Sequence, residues 1–147
     1  MKFFVAAVAS SLFALATAAA TCPEAARFGH FSVEPASFAS GDSVTVNADF
    51  TCANQLGYAP TYTDYYLEVP SDSNNGHEPP VLLARRQPVL GANTDSFTVQ
   101  IPYGYYFPNA SYSIYLENTH AVNGTNGSPV YQVGSISTGV SVTPSVS

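Results

Sequence analysis

Few side chains in this 147-residue chain can do acid–base or nucleophilic work, and their spacing keeps them apart. Gly41-Asp42-Ser43 is a triplet that can present a nucleophilic serine, but such a serine needs a histidine base and an acid held by a larger α/β scaffold. Here the glycine stands in a turn and Ser43 opens an alternating run, so the triplet reads as turn chemistry. His30, His77 and His120 are scattered without H-x-H or H-E-x-x-H spacing and form no convergent zinc set. Asp72-Ser73-Asn74-Asn75-Gly76 offers oxygen ligands, yet its glycine falls at the wrong step for a twelve-residue calcium loop and no glutamate closes it. It reads as an Asx-rich turn. No catalytic residue, metal site or cofactor is expected, and a small hydrolase is the least supported reading.

What remains suits modification and contact. Asn109-Ala110-Ser111, Asn123-Gly124-Thr125 and Asn126-Gly127-Ser128 are N-glycosylation acceptors. Asn109 and Asn123 are favoured over Asn126, which has Pro129 close behind it and Asn123 crowding it. Cys22 and Cys52 allow a single intrachain pairing, expected to form in an oxidising compartment and to pin the start of the mature chain to a strand end. Closing that loop contributes ~3 to 4 kcal/mol in the chain-entropy estimate. Arg85-Arg86 reads as a solvent-facing basic pair rather than a processing site, because it lies between candidate strands. Tyrosine is the conspicuous residue: Tyr58, Tyr62 and Tyr66 gather in one region, and Tyr103, Tyr105, Tyr106 and Phe107 in another. A ring with an apolar face and a polar tip suits stacking on sugar rings or anchoring a protein contact. The candidate ligand-binding set is therefore Tyr58, Tyr62, Tyr103, Tyr105 and Tyr106.

The elements that must position these residues are strands. Met1 to Ala20 pairs Lys2 with an apolar run and an A-x-A end, the pattern of a cleaved secretory signal with cutting after Ala20. The mature chain, 21–147, has a length suited to one core and one domain. Its three arginines face ten carboxylates, a formal balance of −7, so nucleic acid and anionic membrane surfaces are not expected partners. Nor is a membrane span expected after the signal.

Phe31 to Pro35 predicts a short strand, and Ala36 to Gly41 a turn. In Asp42 to Cys52, Val44, Val46, Ala48, Phe50 and Cys52 share one face of a long alternating strand. Ala53 to Thr61 reads as a loop, and Tyr65, Leu67 and Val69 as the inward face of the next strand. Ser71 to Pro80 reads as an exposed connection, and Val81 to Ala84 as a short strand or strap before the arginines return to solvent. Phe97, Val99 and Ile101, then Tyr112, Ile114 and Leu116, predict two half-buried strands around a Pro- and Tyr-rich corner. Thr119 to Ser128 is read as a loop, and Val130 to Val142 as a last strand, interrupted near Gly134, with Tyr131, Val133, Ile136, Val140 and Val142 inward.

About seven short strands, no helical period and a tyrosine entering a strand just after a corner predict an all-β fold. It is an immunoglobulin-like or fibronectin-III-like antiparallel sandwich, with a closed barrel as the competing architecture. The buried tryptophan of antibody domains has no counterpart, since the chain contains none.

The blocks Glu34 to Val46 (EPASFASGDSVTV), Tyr66 to Val69 (YLEV), Ser96 to Pro102 (SFTVQIP) and Tyr112 to Asn118 (YSIYLEN) resemble the N-terminal immunoglobulin-like domain of fungal cell-wall proteins associated with β-glucan assembly and killer-toxin resistance. The resemblance implies a fungal, extracellular or wall-associated protein. The expectation is a non-catalytic secreted glycoprotein that binds cell-wall polysaccharide or an extracellular protein. The alternative is a secreted effector or inhibitor acting on a protein partner.

Overall fold

A computed structural model describes residues 21–74 and 78–145; the expected signal segment, His77 and the Asn75-Gly76 end of the Asx-rich stretch lie outside the described residues. The strands are β1 His30–Glu34, β2 Ser37–Phe38, β3 Ser43–Asp49, β4 Pro60–Glu68, β5 Val81–Arg86, β6 Thr94–Gln100, β7 Ser113–Asn123, β8 Pro129–Gly139 and β9 Ser141–Val142. A 3-10 turn at Glu24–Ala26 and two short helices, α1 Thr51–Leu56 and α2 Ser71–Asn74, complete the chain. The fold is all-β. An antiparallel sheet of order β1-β3-β6 and another of order β5-β4-β7-β8 are accompanied by a short parallel pair, β2 with β9. Among the described residues no helix is long and apolar enough to cross a membrane.

Alternation decides which face of each strand is buried. Val44, Val46 and Ala48 of β3, Tyr65 and Leu67 of β4, and Ile114 and Leu116 of β7 are all buried in one cluster fed by both sheets. Tyr65 stands between Phe31 and Phe97 in edge-to-face contacts with centroids 6.0 Å and 4.9 Å away, the geometry the ring quadrupoles favour.

Several expectations need correction. The strand expected through Cys52 stops at Asp49, because the Asp49 carboxylate accepts the Thr51 N–H at 2.7 Å and starts α1 instead. The helix ends at Gly57, whose φ of 86° permits the left-handed turn. The Tyr58 N–H then donates to the Ala53 carbonyl at 2.7 Å, closing a Schellman-type end where a loop was expected. The disulfide is present, Cys22 to Cys52 with Cα atoms 5.3 Å apart, but it fastens the chain start to α1 rather than to a strand. A helical turn, α2, opens the connection after Pro70.

Arg85 and Arg86 form the end of β5; Arg85 faces solvent as expected while Arg86 is half-buried, and each makes two hydrogen bonds to one carboxylate. Arg85 grips Asp64 at 2.7 and 2.8 Å; Arg86 grips Asp95 at 2.7 and 2.9 Å and ties the edges of the two sheets together. Tyr131 and Val133, expected inward, are exposed, Val133 by 60%. The end of β8 pairs only with β7 there, and its inward companion Gly134 is already covered by the Phe28 ring. A Cβ at Gly134 would lie 2.2 Å from that ring, so only glycine leaves it room.

Candidate functional site

The corner from Pro102 to Tyr112 is held from three sides. From the turn before β3, the Ser40 hydroxyl donates to the Pro102 carbonyl and accepts the Gly104 N–H, both at 3.3 Å. From the tail after β9, the Ser145 N–H donates to the Tyr106 carbonyl at 3.0 Å. The Ser145 hydroxyl meanwhile accepts the Tyr106 N–H and donates to the Gly104 carbonyl, each at 3.0 Å. The β2–β9 pair brings that turn and that tail together. From within, the Tyr112 hydroxyl accepts the Phe107 N–H at 3.0 Å and donates to a Glu78 carboxylate oxygen. The irregular backbone is thereby satisfied without a regular ladder.

Fixing the corner divides its aromatic residues by role. Tyr106 is 2% exposed, donates its hydroxyl to the Pro102 carbonyl at 2.9 Å and meets Tyr112 edge to face. Its ring faces the interior and reaches the cleft described next only through that small exposed remainder. Tyr103 is 81% exposed and Tyr105 56%. A Cβ at Gly41 would lie 2.7 Å from the Tyr103 ring, so the glycine, at φ 86°, lets the ring lie near the backbone. Tyr105 and Phe107 pack edge to face at 4.9 Å. With Pro79, Val81 and Pro102 these rings border an open cleft of about 310 Å³. Among the described residues Glu78 is the only carboxylate in that lining, and it is already bonded to Tyr112. Apart from that one hydrogen-bonded carboxylate the surface is mostly apolar and edged with hydroxyls, which suits stacking on an uncharged ring better than acid–base chemistry.

The other two tyrosines of the expected set lie elsewhere. Tyr58 is half-buried and packs against Phe28 and His120 with centroids 5.5 and 5.0 Å away, under the chain start that the disulfide fastens. Tyr62 is exposed on the outer face of β4, bordering a cleft with Asp64, Arg85 and Thr119. Phe107 was not in the expected set, although its place beside Tyr105 and Tyr106 was the available signal. Ser40 and Ser145, which hold the corner, are single hydroxyls far apart in sequence and announce nothing by themselves.

The remaining chemical groups do not converge. Ser43 is exposed opposite Gln100, and Asp42 accepts the Ala39 N–H at 2.7 Å, closing the turn. His120 is buried and His30 exposed. Among the described residues no group of three or more His, Cys, Asp or Glu could hold a metal ion. Asn109, with φ 63°, and Asn123 and Asn126 are all exposed, the first on the corner, the second at the end of β7 and the third on the loop between β7 and β8. No protein-family model and no curated relative matches the chain, so the site is read from its own geometry.

Proposed function

We propose that this is a secreted, non-catalytic glycoprotein that binds neutral polysaccharide at the fungal cell wall or another extracellular surface, through Tyr103, Tyr105 and Phe107. The observation that carries the reading is the division of the corner. Tyr106 and Tyr112 are buried and hydrogen-bonded, while the other three rings are exposed around a cleft whose lining carboxylate is already engaged. Stability alone gives no reason for exposing them. Secretion is supported by the signal-like start and by the cysteine bridge, and glycosylation by the exposed acceptor asparagines. An immunoglobulin-like or fibronectin-III-like sandwich is supported by the three-plus-four strand order and by Tyr112, whose hydroxyl returns to backbone five residues upstream as a tyrosine corner does.

The test is retention of the mature chain on insoluble β-glucan and on chitin. Each stacked ring contributes about 0.5–1.5 kcal/mol, so Tyr103→Ala and Tyr105→Ala should each weaken retention several-fold, and the double variant more. Failure of the unaltered protein to be retained, or equal retention of the double variant, would overturn the proposal.

A further inference from the structure

We propose that the outer face of the four-stranded sheet is a second interaction surface, which docks an extended basic segment of a partner protein. Along β4, Tyr62, Asp64, Tyr66 and Glu68 point outward while Thr63, Tyr65 and Leu67 are buried. On β7, Tyr115 lies opposite Tyr66, and Glu117 opposite Asp64; Tyr131 and Val133 extend the face onto β8. The outer face of the three-stranded sheet is built differently. Thr45 pairs with Thr98 at 3.1 Å and Ser96 donates to Asn47 at 2.7 Å, a surface of hydroxyls and amides flanked by Glu34, His30 and Asp49 and without a tyrosine among the described residues. Hydration of a sheet face in this protein therefore requires no aromatic residues, and the tyrosines of the other face need another explanation.

Charge names the occupant. Among the described residues every arginine is committed, Arg27 to Glu24, Arg85 to Asp64 and Arg86 to Asp95, whereas Glu68 and Glu117 form no ion pair. Tyr66, Glu68, Glu117 and Pro80 together border a cleft of about 260 Å³. Burial first, and the nearby Glu117 charge second, raise the Glu68 carboxyl above its ordinary range. A cation between the two carboxylates relieves both effects, and a guanidinium also stacks on the Tyr66 ring. The second cleft on this face, of about 410 Å³, contains Tyr62 four residues earlier on β4, together with Thr119 and the mutually neutralising Asp64–Arg85 pair, so it offers a ring and no free charge to the docked segment. At ~3.3 Å per residue, the two clefts are about 13 Å apart, the separation of side chains i and i+4 in an extended peptide. A second copy of this chain is the wrong occupant, because it would set carboxylates against carboxylates.

The test uses the mature chain and a fluorescent eight-residue peptide alternating Arg and Ser, followed by anisotropy at low ionic strength. The peptide should bind, and its Lys–Ser counterpart should bind several-fold more weakly. Glu117→Gln and Tyr66→Leu should each weaken the Arg–Ser peptide several-fold. Asp72→Asn, an equal loss of charge on α2, should not, and neither should Tyr105→Ala, which reports only on the corner. Glu68→Gln serves should Tyr66→Leu fail to fold. Absence of binding would overturn the proposal, as would equal effects of Glu117→Gln and Asp72→Asn. So would release of the protein from insoluble glucan by Tyr66→Leu without peptide binding, since the face would then serve a polysaccharide.

Discussion

Tyr112 holds two partners at one oxygen, accepting from the Phe107 N–H and donating to Glu78, and so links the corner to the end of the β4–β5 connection. Burial first, then the Glu78 hydrogen bond, push its phenol up to about 12. Burial likewise raises Tyr65 and Tyr106. A tyrosine with a raised folded pKa adds stability that is complete below the ordinary phenol range and is lost as pH rises through the folded value. Stability should therefore fall between about pH 10 and 12. In a spectrophotometric titration, Tyr112 should belong to a late component shared with Tyr65 and Tyr106, reduced but not abolished in Tyr112→Phe. That substitution also leaves the Phe107 N–H without its partner, which costs about 1–3 kcal/mol in urea unfolding. An unchanged urea midpoint would show that the link carries no stability.

At the scale of elements, α1 shows how one carboxylate can redirect a strand. Asp49 continues the polar face of β3, yet its side chain bonds to Thr51 and the chain turns into a helix. Hydrogen bonding from Thr51, side chain first and then N–H, holds the Asp49 carboxyl below the usual carboxylate range. A depressed folded pKa contributes stability that is present above the ordinary carboxylate range and is lost as pH falls through the lower folded value. Asp49→Ala should cost about 1 kcal/mol at neutral pH, the usual net worth of such a hydrogen bond. Thermal unfolding from neutral to acid pH should show the gap between the variant and the unaltered protein closing below the carboxylate range. A gap constant down to the lowest pH would mean that the charge plays no part.

Across the whole molecule, the disulfide closes a loop of separation 30 and covers one end of the fold with Phe28, which packs on Tyr58, His120 and Gly134. Replacing both cysteines by serine should cost about 3–4 kcal/mol in urea unfolding, as removal of a loop of this length predicts. Corner binding should persist in the folded fraction, since the Ser40 and Ser145 contacts do not involve the bridge. Loss of binding without loss of folding would show that the two ends of the molecule are coupled.

Strand identity was legible wherever one face is buried and the other wet, because a period of two then leaves its mark in the residues themselves; β3, β4, β6 and β7 all read this way. The cysteine pairing was legible because two cysteines allow only one intrachain bridge. Alternation cannot tell whether a partner layer exists opposite a strand. Tyr131 and Val133 alternate as a core strand should, yet they stand in solvent because β8 runs unbroken through Gly134, which puts Gly134 and Ile136 on the inner face and these two on the outer. Nor does composition separate Tyr106 from Tyr105: neighbouring tyrosines acquired opposite roles only when Pro102, Ser40 and Ser145, distant in the chain, fixed the path of the corner between them. Local pattern determined the strands, and long-range hydrogen bonding decided which rings remain outside.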